Sequence, residues 1–183
     1  MRNDYFSPAT KNVLILQCGV VDCAPRPLPR WLRGIVSFLP ALFQKPVVSF
    51  IHNNRPRIQK AGFIFHKTPP LLFTNVYQDF LESVKNLERV YVFNIPPTNR
   101  KIEKHSPGFT KSIIAYNQII EDAVKKISQN NIFLLDVYKE ITSIKGTKTL
   151  INEEDGHHIT VKGHELYAKL ILEREREFPL LNP

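Results

Sequence analysis

An α/β fold built on a parallel sheet is predicted by three apolar runs, by the helical patterns around them, and by their alternation along the chain. The runs are "NVLILQC" (12–18), "RVYVFNI" (89–95) and "NIFLLDV" (131–137). Continuous apolar stretches of this length read as strands buried on both faces. Gly19 ends the first and Pro96-Pro97 stops the second. Helical spacing of apolar residues covers 71–86 (Phe73, Val76, Tyr77, Phe80, Leu81, Val84) and 112–127 (Ile113, Tyr116, Ile119, Ile120, Ala123, Val124, Ile127). A third helix is predicted over 161–178, with Leu166, Leu170 and Ile171 inward and a charged "EREREF" end. Gly163 costs this helix little if it falls in the first turn. Right-handed crossovers then put helices on both faces, and ligands at the carboxyl ends of the strands. "GVVDCAPR", "PPTN", Asp136 with Tyr138, and the loop before the last helix all fall where that edge would be.

Two stretches fit this rhythm less well. "WLRGIVSFLPALF" (31–43) reads as an amphipathic or core-facing helix, since Arg33 and Pro40 interrupt it and it is too short to cross a membrane. Residues 45–70 fit neither period and carry Arg55, Arg57, Lys60 and Lys67. They read as a solvated loop or excursion, with a basic lid over the site as the sharper alternative.

The 183 residues fit one domain, spanning 1–183. A net charge of +8 permits an anionic partner, but the excess reads as spread along the chain without a Lys/Arg block. No helix-turn-helix, zinc-finger or RNP-like pattern is present, so nucleic acid is not expected as a partner. Cys18 and Cys23 are too few for a disulfide framework and read as reduced thiols of a cytoplasmic protein. "MRNDYFSPAT" lacks an apolar core, so no signal peptide is expected, and no membrane partner either.

The segment richest in chemistry is "DGHHITVKGHELYAKL" (155–170). A histidine acting as general base needs a carboxylate to fix its tautomer and stabilise the imidazolium. The Asp-x-x-His spacing of Asp155 and His158 allows that pairing within one turn, and Thr160 suits an N-cap for the following helix. Asp155, His157, His158 and His164 match no zinc spacing, so neither a metal nor a cofactor is expected. A polar loop with exposed histidines is the plain alternative.

An apolar strand ending in Gly-x-x-Asp, in "LILQCGVVDCAPR", followed in order by an Asp-x-x-His loop before the last helix, resembles the SGNH/GDSL hydrolases. More narrowly, it is similar to SGNH-like proteins of bacterial polysaccharide gene clusters. The resemblance runs from Val13 to the last helix. It implies a three-layer, flavodoxin-like fold and Ser-His-Asp ester hydrolysis, on an acylated sugar or polysaccharide precursor. It makes His158 the base and Asp155 the triad acid, with His157 pointing to solvent. Gly19 to Asp22 match the family's Gly-x-Asn-Asp block, except that Val21 stands where the family has an oxyanion-donating Asn. A backbone N–H or Arg26 is then the expected replacement, which makes Gly19, Asp22 and Arg26 candidates for oxyanion or substrate binding.

The family's nucleophile is a Ser in a Gly-Asp-Ser segment upstream of this strand. Ser7, Ser37, Ser49, Ser83, Ser106, Ser112, Ser128 and Ser143 are not preceded by Gly-Asp, and none sits on an evident strand-to-helix elbow. The resemblance therefore implies that the first two strands and the nucleophile are missing, which leaves Val13–Cys18 as an apolar edge open to pairing. A truncated reading, a separate upstream partner chain, a homodimer across that edge and a non-catalytic remnant all remain open. In the last case the expectation is a binding module whose basic face (Arg26, Arg55, Arg57) holds an anionic glycan or protein.

Overall fold

Strand β2 (Arg89–Phe93) is buried at every residue, and the other layers are arranged around it. It pairs in parallel with β1 (Val13–Gln17) on one side and β3 (Ile132–Leu135) on the other, giving the order β1-β2-β3. The computed structural model describes residues 12–144 and 150–179. Ser7 and the first eleven residues lie outside them.

Successive side chains of a strand point to opposite faces. Val90 and Val92 meet α4 (Pro70–Val84) and α6 (Phe109–Ile127) through Phe73, Leu81, Ile113, Tyr116 and Ile120. Tyr91 and Phe93 meet α7 (Val137–Ser143) and α8 (Val161–Glu177) through Val137, Ile141 and Tyr167. The result is a three-layer α/β/α arrangement. Polar clamps fix the layers at both ends of β2. At its start, Arg89 reaches Glu175 (2.7 Å) and the Phe178 carbonyl (2.6 Å), while the Tyr91 hydroxyl donates to Glu175. Beyond its end, Asn117 on α6 accepts from the Ile95 N–H (2.7 Å) and donates to the Ile95 carbonyl (2.9 Å).

β1 is an edge strand covered on one face only. Leu14 and Leu16 pack into the α4/α6 core, whereas Val13 and Ile15 are exposed on the α8 face. α8 meets β1 at the carboxyl end of that strand, where Gln17 donates to the Tyr167 hydroxyl (3.0 Å).

The helices correct several sequence expectations. Residues 45–60 are not a loop, whereas 61–69 are irregular: α3 runs from Ala41 to Lys60, through Pro46 and Pro56. Each interior proline removes one backbone bond and disfavours a helix, which is why the sequence reads as irregular. Tertiary anchoring holds the helix, since Arg55 bonds the Pro25 carbonyl (2.7 Å) and Ser106 Oγ (2.9 Å). The single helix expected over 31–43 is two helices. α2 (Arg30–Ser37) stops before Pro40, and Trp31, Ile35 and Phe38 face outward rather than into the core. On α4, Val76 and Phe80 are also exposed, because the helix presents only the Phe73–Tyr77–Leu81–Val84 stripe to the sheet. On α8 the fully enclosed side chain is Tyr167, with Leu166, Leu170 and Ile171 packed around it.

Two further short helices, α1 (Val20–Cys23) and α5 (Arg100–His105), follow β1 and β2 directly. Gly19, between β1 and α1, has φ 108°, and a Cβ there would stand 2.8 Å from Ile95 Cδ1. A glycine is therefore required where the chain turns over the second strand.

Leu81 is fully buried between α4 and the sheet. Leu81→Ala is expected to lower unfolding free energy by about 2–5 kcal/mol, read as a lower urea midpoint with unchanged slope.

Candidate active site

The loop between 150 and 160 is built from its own backbone outward. Ile151 and Ile159 form an antiparallel bridge, with the Asn152 N–H donating to the His158 carbonyl (2.8 Å) and the Thr160 N–H to the Leu150 carbonyl (3.0 Å). Thr160 caps α8, its hydroxyl accepting from the Gly163 N–H (3.3 Å). The tip is held by the segment after β2: the Asn99 N–H donates to the Gly156 carbonyl (2.9 Å) and Lys101 Nζ to the Glu154 carbonyl (3.0 Å). Gly156 has φ 75° and packs so closely that a Cβ would lie 2.4 Å from Asn99 Oδ1.

Inside this frame Asp155 bonds with both of its oxygens. Oδ1 accepts the backbone N–H of His157 (3.0 Å) and of His158 (2.9 Å), and Oδ2 lies 3.0 Å from His158 Nδ1. The two backbone donors, then the His158 ring, hold the Asp155 carboxyl far below the ordinary carboxylate range. An ionised carboxylate only accepts, so His158 Nδ1 carries a proton and neutral His158 has its lone pair on Nε2. That is the tautomer of a general base.

His157, expected to point to solvent, is the more enclosed histidine. Its side chain is 33% exposed against 71% for His158. Its Nδ1 is turned back on the Asp155 carbonyl (3.0 Å), and the two imidazole rings lie 4.1 Å apart. Ligand atoms of Asp155, His157 and His158 fall within 4.8 Å of one another, so these three are where a cation would sit. Both Nδ1 atoms are already engaged within the loop, which leaves their Nε2 atoms to serve.

The histidines open on a cleft of about 330 Å³ at the carboxyl ends of β1 and β2, lined by Gln17, Cys18, Val20, Pro96, His158 and His164 among others. No serine lines it among the described residues. A larger cavity of about 560 Å³ is lined by Thr98, Asn99, Arg100, Lys101 and Glu153, the segments that clamp the loop.

The other candidates divide. Gly19 sits at the turn into the cleft, but it is buried and its conformation alone accounts for it. Asp22 does not line the cleft; its carboxylate accepts from Thr68 Oγ1 (2.6 Å) and ties α1 to the start of α4. Arg26 does not line it either. Its backbone bridges Phe65 in both directions, at 2.6 and 2.9 Å. Arg55 is likewise spent on internal bonds, whereas Arg57 is exposed on α3, away from this cleft. Asn94, unmarked in the sequence, is buried beyond β2, donates to Asp136 Oδ1 (2.6 Å) and accepts from the Tyr138 N–H (3.1 Å). Asp136 in turn caps α7. The apolar runs around both residues concealed this pairing. Cys18, read as a reduced thiol in the first apolar run, lines the cleft. Cys18 is exposed as a residue, but desolvation of its sulfur first, and Asp22 second, push the thiol up to about 11, which favours the protonated form near neutrality.

No family model matches the chain, and no curated protein sequence matches it. Among solved structures, a lipase/acylhydrolase from Enterococcus faecalis is similar, with a TM-score of 0.50 and 19% sequence identity over 60% of this chain and 52% of that one. The chain thus spans about half the length of that structure. At this identity the likeness concerns the fold.

Gly156→Ala is expected to destabilise the protein by about 1–3 kcal/mol in urea unfolding, through the added Cβ and the left-handed backbone. Asp155 has a lowered folded pKa, so its stabilisation is present above the ordinary value of 3.8 and is lost as pH falls through the folded value. Wild type should therefore exceed Asp155→Asn in stability at neutral pH, and the gap should shrink steadily in melting curves recorded as pH is lowered below 3.8. Iodoacetamide should modify Cys18 slowly near neutrality, with a rate still rising above about pH 9.5.

Proposed function

We propose that this chain carries the acid–base half of an SGNH-type ester hydrolase acting on an acylated sugar or related ester. The observation that carries the reading is the ionised Asp155 set 3.0 Å from His158 Nδ1 on the rim of a cleft at the carboxyl end of a parallel sheet. That edge is where α/β proteins bind ligands.

In this reading a serine hydroxyl enters the cleft from polypeptide outside this chain, pairing along the open edge of β1. His158 Nε2 takes the hydroxyl proton as Oγ attacks the ester carbonyl. Asp155 stabilises the imidazolium without itself taking the proton. His158 returns the proton to the leaving alcohol, and an acyl-serine remains. Water then attacks the acyl carbon, giving its proton to His158, and collapse releases the acid and restores the serine. Val21 offers no side-chain donor and Arg26 lies off the cleft, so backbone N–H groups at the turn into α1 stabilise the oxyanion.

A chain extended upstream of Met1 should hydrolyse p-nitrophenyl acetate or an acetylated sugar. His158→Ala should lower its kcat by about 10²–10⁴-fold; equal rates would sink the proposal. Fluorophosphonate labelling of the 183-residue chain, read by intact mass, should show no adduct. A single adduct lost in His158→Ala would place the nucleophile within these residues and overturn the divided site.

A further inference from the structure

The positive charge of this protein is not spread along the chain. Residues 23–78 hold eight Lys and Arg and no Asp or Glu, leaving 17 basic against 17 acidic residues elsewhere. The whole formal excess of +8 therefore sits in α2, α3 and their flanking segments.

The same region carries large apolar side chains in solvent. Trp31, Ile35 and Phe38 follow an i, i+4, i+7 spacing on α2, and Phe38 and Leu42 are 89% and 79% exposed. Phe43, Val47 and Phe50 repeat the spacing on α3 and are exposed as well. Trp31, Leu32, Phe50, Ile58, Phe63 and Arg57 line an open, mainly apolar groove of about 750 Å³ between the helices. Monomeric proteins seldom leave such contiguous apolar surface unpartnered.

Apolar surface alone would leave the occupant open; the charge selects one. A second copy of this chain would bring eight further positive charges against the first. A nucleic acid would match the charge but give exposed aliphatic and aromatic helix faces no comparable apolar phase. An anionic bilayer satisfies both: headgroup phosphates meet the Lys and Arg, and Trp, Phe and Leu enter the acyl boundary.

We infer that α2 and α3 form a peripheral docking face for anionic membrane surfaces. The absence of a membrane partner was expected because no segment could span, and among the described residues no helix is long and apolar enough to cross. Lying on the surface makes no such demand on length. Pro40 sets the two helices apart, and Trp31 and Phe38 lie on the outward side of α2. The inference is independent of whether His158 acts as a base.

The chain has one tryptophan, so Trp31 reports directly on this face. The full chain is mixed with vesicles of phosphatidylcholine containing about a third phosphatidylglycerol, and with phosphatidylcholine alone, at about 50 mM salt. Flotation with the anionic vesicles and a blue shift of Trp31 emission are expected, both reduced by salt and much weaker without phosphatidylglycerol. Arg30→Gln with Arg57→Gln, both at exposed positions, should weaken partitioning roughly thirtyfold. Trp31→Ser with Phe38→Ser should abolish flotation while circular dichroism and melting stay unchanged. No flotation with anionic vesicles overturns the inference. So does a Trp31 shift that needs only raised protein concentration and accompanies a doubled mass, which would assign the face to a second copy. Salt-sensitive binding to duplex DNA without vesicle binding overturns it too.

Discussion

A strand that is apolar on both faces has to be covered on both faces, and β2 imposes that requirement on everything around it. Val90 and Val92 call for one helical layer and Tyr91 and Phe93 for another. Parallel pairing to β1 and β3 then forces crossovers that carry those helices back to the amino ends of the strands. Because all three strands run the same way, their carboxyl ends share one edge. Gln17 with Cys18, Pro96 and the Asp-His loop meet there, three segments far apart in sequence.

The loop itself is ordered mostly by backbone. Asp155 is held ionised by two amide donors before the imidazole contributes, so the carboxylate is in place whatever the charge on His158. The His158 ring is open to solvent. Asn99 and Lys101 tie this loop to the segment after β2, so the position of His158 is coupled to the central strand.

Against this electrically balanced α/β body stands a cationic pair of helices with apolar side chains in water. The two parts are joined by directed bonds rather than by a continuous core. Arg55 reaches Pro25 and Ser106, Phe65 bridges Arg26, and His66 meets Ser112 Oγ at 3.0 Å. Such an attachment fixes the helices in place and leaves their outer faces free to bind.

What the sequence by itself determined is the body of the fold: three parallel strands, of which only β2 is buried throughout, helices near 71–86, 112–127 and 161–178, and a loop in which Asp155 could reach His158. These are local signals, apolar period and residue spacing within one turn, and local geometry obeys them. The Thr160 cap belongs to the same class. Only the tertiary structure decided the rest. Residues 45–60 became helical although two prolines signal a break locally, and Arg55 ties that helix to Pro25 and Ser106 far away in the chain. Trp31, Ile35 and Phe38 have the spacing of a core-facing stripe, yet they face water, because periodicity specifies a face and not what covers it. His157 and His158 are neighbours in sequence, and only the turn closed by Asp155 makes one enclosed and the other free. Asp22 and Arg26 looked like site residues from their order after the first strand, but bonds to Thr68 and Phe65 draw them into the scaffold, a commitment that spans some forty residues of chain and leaves no mark on local sequence.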